Sequence, residues 1–231
     1  MTHTTRMVIR GLAASTLICF ATSFAQAGTI IKLNLGGVGP DVGMNALGIL
    51  STVDDGIAGT TGDQNTAVEF TDFLDAFPDI SPSVASFTLG NVTAVGPASV
   101  FGALVVQNFV GGQFSLYDPA NILLLQGLLT NSALTGTIGP PGTGALFTTT
   151  LGDVTGGTLA PFISPGSLSL SMNMTNVNGG GGFTAVAGVL APFLADASVN
   201  LAANAIPEPT SLTLVAIGSG AAIAFGRRRR R

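Results

Sequence analysis

The sequence predicts an all-β fold: an antiparallel β-sandwich or jelly-roll-like single domain, set between an N-terminal signal helix and a C-terminal transmembrane helix. Three observations predict it. Apolar and polar residues alternate with a period of two over many short stretches, the pattern that turns one strand face to a core and the other to water. Glycine-rich breaks separate these stretches, and glycine supplies 28 of the 178 residues from 28 to 205, about twice the ordinary share. The charge-poor middle also lies between two end segments of quite different composition, which divide the 231 residues into 1–27, 28–205 and 206–231.

The first segment reads as a signal peptide. Arg6 and Arg10 precede an apolar stretch over residues 11–24, and Ala25-Gln26-Ala27 forms a small-x-small cleavage pattern. Ala25 and Ala27 are the residues a signal peptidase would read, and Gly28 would begin the mature chain. The stretch is too short to cross a bilayer comfortably. Cys19 lies inside it and is followed by Phe20, so it does not sit in the small-residue context of a lipid-modified cysteine.

In the middle segment the clearest strand is residues 167–175, where Leu168, Leu170, Met172 and Met174 alternate with Ser and Asn. The same period appears at Ile31, Leu33 and Leu35, and again at Ala195, Ala197, Val199 and Leu201. Further strands are expected at residues 84–92, 100–110, 113–117, 122–130, 145–151 and 183–190, for about eight or nine in all. Gly111-Gly112, Asp118-Pro119 and residues 179–182 divide them, and Gly139-Pro140-Pro141-Gly142 should be an exposed loop. One stretch reads two ways. Phe70, Phe73, Leu74 and Phe77 fall at helical spacing after a possible Thr66–Glu69 capping box, while a strand near residues 68–73 running into a turn fits as well.

Charge is strongly segregated. From residue 28 to 205 one lysine, Lys32, stands against eleven acids, a net charge of −10. Nucleic-acid binding needs clustered Lys and Arg to neutralise phosphates, so it is excluded for this region. With the signal peptide removed, neither cysteine nor histidine remains, since His3 and Cys19 are the only ones. Disulfides, thiol chemistry and histidine–metal sites drop out, as does the usual general base of hydrolases.

The acids Asp54, Asp55, Asp63, Glu69, Asp72, Asp75 and Asp79 form the one constellation with chemical potential. Asp54, Asp55 and Asp63, with glycines among them, have the ligand type of a calcium loop, although their spacing matches no EF-hand. Solvated surface charge is the other reading. Asp54 or Asp55 with Glu69 or Asp72 could formally pair as in glycoside hydrolysis, yet nothing selects a pair. The chain has no tryptophan and one tyrosine, Tyr117, to form a sugar platform. No enzyme is expected, and no cofactor beyond a possible calcium ion. Asn91-Val92-Thr93 and Asn173-Met174-Thr175 match a glycosylation pattern that is frequent by chance, and Gly36-Gly37-Val38-Gly39 lacks the lysine of a phosphate loop.

The final segment orders three elements. Pro207, Glu208 and Pro209 come first, an apolar run over residues 212–225 follows, and Arg227, Arg228, Arg229, Arg230 and Arg231 close the chain. The 16 residues 211–226 would rise about 24 Å as a helix, against a hydrocarbon core of about 30 Å. Arginine snorkelling and local thinning can close that difference. The arginine run acts as a membrane stop on the cytoplasmic side.

This three-part tail resembles the PEP-CTERM sorting signal of exported bacterial proteins. The resemblance covers only about the last 26 residues. It implies that Pro207, Glu208 and Pro209 are read by an exosortase-like processing enzyme, that the chain passes through an inner-membrane intermediate, and that its destination is the cell surface or the outside. It further implies a place in extracellular matrix or biofilm, with exopolysaccharide as a partner. A carbohydrate- or calcium-binding adhesion module is the alternative role for the middle segment.

Overall fold

The computed structural model describes residues 28–36, 39–53, 63–70, 85–141 and 144–204. The signal helix and the C-terminal transmembrane helix lie outside these residues, as do Ala25, Ala27 and all of 206–231. Among the described residues the fold is nearly all β, with fourteen strands and two one-turn 3-10 segments at Ala160–Phe162 and Val177–Gly180. The strands are β1 (Gly28–Asn34), β2 (Val42–Met44), β3 (Ile49–Thr52), β4 (Asp63–Phe70), β5 (Ala85–Gly90), β6 (Val92–Phe101) and β7 (Leu104–Val110). They continue with β8 (Gln113–Tyr117), β9 (Leu123–Thr137), β10 (Ala145–Gly156), β11 (Ser169–Thr175), β12 (Ala185–Val186), β13 (Val189–Leu190) and β14 (Phe193–Ala203).

Twelve strands join one antiparallel sheet, and β12 and β13 form a separate hairpin. The long strands β9, β10, β11 and β14 make a wall. Each outer edge of that wall takes two partners in succession. β14 pairs with β2 through Phe193, Leu194 and Ala195, then with β1 from Ser198 to Ala203. β9 pairs with β8 from Leu123 to Leu128 and with β7 from Asn131 to Thr137. Two arcs therefore run in front of the wall, β1-β4-β5-β8 at one end and β2-β3-β6-β7 at the other, and each closes a ring with it. Closure pairs the strand edges that an open sheet would leave bare.

Strand alternation explains the interior. β14 is buried at every odd position from Phe193 to Ala203, and β11 buries Leu170, Met172 and Met174. Phe87, Phe109, Phe114, Phe147 and Phe183 are the largest fully buried side chains, each contributing roughly 1.5–3 kcal/mol by burial. Phe87 stacks on Phe114 across β5 and β8, while Phe109 and Phe147 meet edge to face.

Three seams mark where the arcs part. On β9, Gly112 accepts the Leu129 N–H through its carbonyl, and the Gly111 N–H donates to Thr130. Gly112 has φ +104°, and a Cβ there would meet Val92 Cγ2 at 2.5 Å, so only glycine fits. On β14, residues 196 and 197 fall between the two partners, and the Asp41 carboxylate accepts the Ala197 N–H at 2.6 Å. At the front, Thr52 Oγ1 accepts the Leu89 N–H at 3.2 Å and donates to the Leu89 carbonyl, tying β3 to β5.

Several expectations need correction. The all-β class holds, but the strand count rises from about eight or nine to fourteen. Thr66 to Glu69 lie within strand β4 and form no capping box, because Ala67 to Phe70 pair with Asn34 to Ile31; the helical spacing of Phe73, Leu74 and Phe77 lies outside the described residues. Residues 100–110 are not one strand, since Gly102, at φ +63°, turns the chain between β6 and β7. Residues 183–190 are not a core strand but a loop bearing the short β12–β13 hairpin.

Candidate functional site

The register of the wall defines two poles. At one pole β14 ends at Ala203, whose partner is Gly28 at the start of β1. Asn204 follows, its N–H donating to Ser167 Oγ and its carbonyl accepting the Ser164 N–H. The residue expected to follow signal cleavage and the base of the C-terminal tail are therefore side by side. The other pole lies about 33 Å away, ten steps along β14 at about 3.3 Å each. It holds the start of β14, the ends of β9 and β11 and the loops around them.

A groove of about 710 Å³ opens at this distal pole. Leu35 and Gly36 line it from the end of β1, Pro40 and Asp41 from the approach to β2, and Asn176, Asn178 and Gly179 from the 3-10 segment after β11. Leu194 and Asp196 of β14 complete it. Asn176, Asn178 and Gly179 adopt left-handed backbone, with φ of +53°, +51° and +65°, a conformation that asparagine and glycine accept readily. The Asn178 amide fixes the loop, accepting the Leu194 N–H at 3.2 Å and donating to Gly182 O at 2.9 Å. Asn176 Nδ2 donates to Asp196 Oδ2 at 3.1 Å.

Two carboxylates and two side-chain amides beside two leucines give the groove polar groups for a hydroxyl-bearing ligand and a small apolar floor. A nucleophile with its base is not present among these lining residues. Sequence reading did not single out this groove. Its signals were faint: one aspartate after a proline, and an Asn-x-Asn-Gly run suited to left-handed turns.

The residues singled out from sequence fare differently. Asp54 and Asp55 lie outside the described residues, and Asp63 begins β4 opposite Phe87. Glu69 is exposed on β4 and pairs with Lys32 at 3.4 Å, so it faces solvent and not a cleft. Asp118 caps the β8–β9 turn, accepting the N–H groups of Ala120 and Ile122. Among the described residues, no three His, Cys, Asp or Glu side chains converge on a metal position. Asn91 occupies a left-handed turn between β5 and β6, and Asn173 lies within β11. Among the described residues no helix is long and apolar enough to cross a membrane, while Pro207, Glu208, Pro209 and Arg227 to Arg231 lie beyond them.

Fold and exit point together define a class: an all-β domain whose first and last described residues, Gly28 and Asn204, lie at one pole, with a tail segment following Asn204 in the sequence. Residues 205–231 match the family model of the PEP-CTERM protein-sorting motif. The chain carries that motif, which implies an exported protein, processed by an exosortase through a membrane-anchored intermediate. No curated protein and no solved structure matches the chain.

Proposed function

We propose that residues 28–205 form a non-enzymatic component of the cell surface or extracellular matrix, associated with biofilm and exopolysaccharide and delivered by the PEP-CTERM tail. The pairing of Gly28 with Ala203 carries this reading. It lets both end segments be removed beside one pole without breaking a strand inside the domain. After the two cuts the folded body would leave the membrane intact.

Intact mass and terminal peptide mapping of the protein recovered from the surface and medium of its host test the proposal. A start at Gly28 with an end near Pro207, Glu208 or Pro209 is the expected result. A membrane fraction retaining Arg231 would instead make the protein a permanent tail-anchored one and sink the matrix reading.

The distal groove favours a second reading, a carbohydrate- or calcium-binding adhesion module. Asp41, Asn176, Asn178 and Asp196 supply the acceptor oxygens such a ligand needs. Glycan-array binding and equilibrium dialysis with calcium, each compared with Asp196→Asn, separate the two readings. Retention abolished by that change would favour the module.

A further inference from the structure

We propose that two copies of the chain associate head to head through the distal tips of the β6–β7 and β12–β13 hairpins. Each tip carries an apolar cross-strand pair, Phe101 opposite Leu104 and Val186 opposite Val189. These side chains are exposed to 68%, 41%, 67% and 67% respectively. The two hairpins touch where the Ala98 N–H of β6, three residues before Phe101, donates to Gly188 O of the β12–β13 turn at 2.6 Å. Their place at the distal pole follows from register, since Leu104 pairs with Thr137 at the end of β9 and the Phe183 N–H donates to the Thr137 carbonyl.

Charge and chain direction select a second copy as the occupant. No Asp, Glu, Lys or Arg occurs in residues 80–117 or 154–195, so both tips belong to uncharged stretches of a domain carrying −10. Like-charged copies repel, and the contact that costs least is one made through neutral surface. Among the described residues, Asp41 and Asp196 at this pole already accept hydrogen bonds from Ala197 and Asn176. A lipid surface is disfavoured because neither hairpin supplies a cation for anionic headgroups. The chain's own tail follows Asn204 at the opposite pole, and on the tail-delivered reading above its apolar run lies in the membrane or is removed.

A head-to-head pair is isologous and closes on itself. It points the two tail-bearing poles outward, in opposite directions, so one pair can bridge two surfaces. The contact stands on the fold alone; its placement between surfaces rests on the exported, tail-delivered reading above.

Cross-linking is clean because the mature chain has no cysteine of its own. Val186→Cys and, separately, Leu104→Cys in the exported chain should give a disulfide-linked dimer on a non-reducing gel. Ile122→Cys, exposed near the opposite pole, should not. Sedimentation equilibrium of the recovered protein should show a dimer that added salt strengthens. Phe101→Asp or Val186→Asp should weaken it roughly tenfold or more, with circular dichroism unchanged.

A monomer at all concentrations, a dimer indifferent to both aspartate changes, or equal cross-linking at Ile122→Cys would overturn the proposal. So would a monomer that floats with lipid vesicles and loses that binding on Phe101→Asp, the signature of a lipid contact. Failure of tail processing in the mapping experiment leaves these readouts untouched, so the two ideas fail separately.

Discussion

At β14 the strand neighbours on one side change over between Ala195 and Ser198, and the Ala197 N–H in the gap is taken by the Asp41 carboxylate at 2.6 Å. Asp41 is only 7% exposed, so this bond is made where water cannot readily replace it. Asp41→Ala should cost about 2–3 kcal/mol in urea unfolding, because it strands a buried N–H and removes a charge-assisted acceptor. Asp41→Asn, which keeps an acceptor oxygen, should cost less, and equal losses would refute the seam argument. Little of this was legible in the sequence, where Asp41 was one acid among eleven. Its role depends on a partner 156 positions away, a distance at which residue type alone says nothing. Alternation, by contrast, was fully legible: the buried Leu170, Met172 and Met174 are the residues their period picks out.

Among elements, legibility followed length and isolation. β8 has the bounds its glycine and Asp-Pro flanks predict, and β14 and β11 lie within two residues of expectation at each end. β2 and β3, with 3 and 4 residues, are too short to show any period. The β6–β7 turn was hidden because Val100, Phe101, Leu104 and Val105 form one apolar run broken only by Gly102-Ala103. The capping-box reading of Thr66 to Glu69 lost to the pairing of β4 with β1. The front seam is the element-scale weak point, since the two arcs are tied there by Thr52 and Leu89. Thr52→Val keeps the shape and removes both bonds, costing about 1–2 kcal/mol. Amide hydrogen exchange at Leu89 should accelerate more than at Leu170 in the wall; uniform acceleration would mean that the seam is not a separate unit.

For the whole molecule, the sequence announced its routing more clearly than its activity. The order of Pro-Glu-Pro, apolar run and arginines is local and uninterrupted, so it reads directly, and residues 205–231 match the corresponding motif. The groove gathers residues from four separated stretches and exists only once the rings close. If the tail is read as proposed, Glu208→Ala combined with deletion of Arg227 to Arg231 should leave full-length precursor in membranes on an immunoblot, whereas unaltered mature size would contradict it. The pairing of Gly28 with Ala203 also has a mechanical meaning. A load applied between Gly28 and Ala203 would peel β1 from β14 one hydrogen bond at a time. A load between Ala203 and the β6–β7 hairpin would leave β14 through its bonds to β1, β2 and β11 and stress them in parallel, because those bonds lie across the strand direction. The domain is thus weak to being opened from its base and strong to being stretched from base to tip.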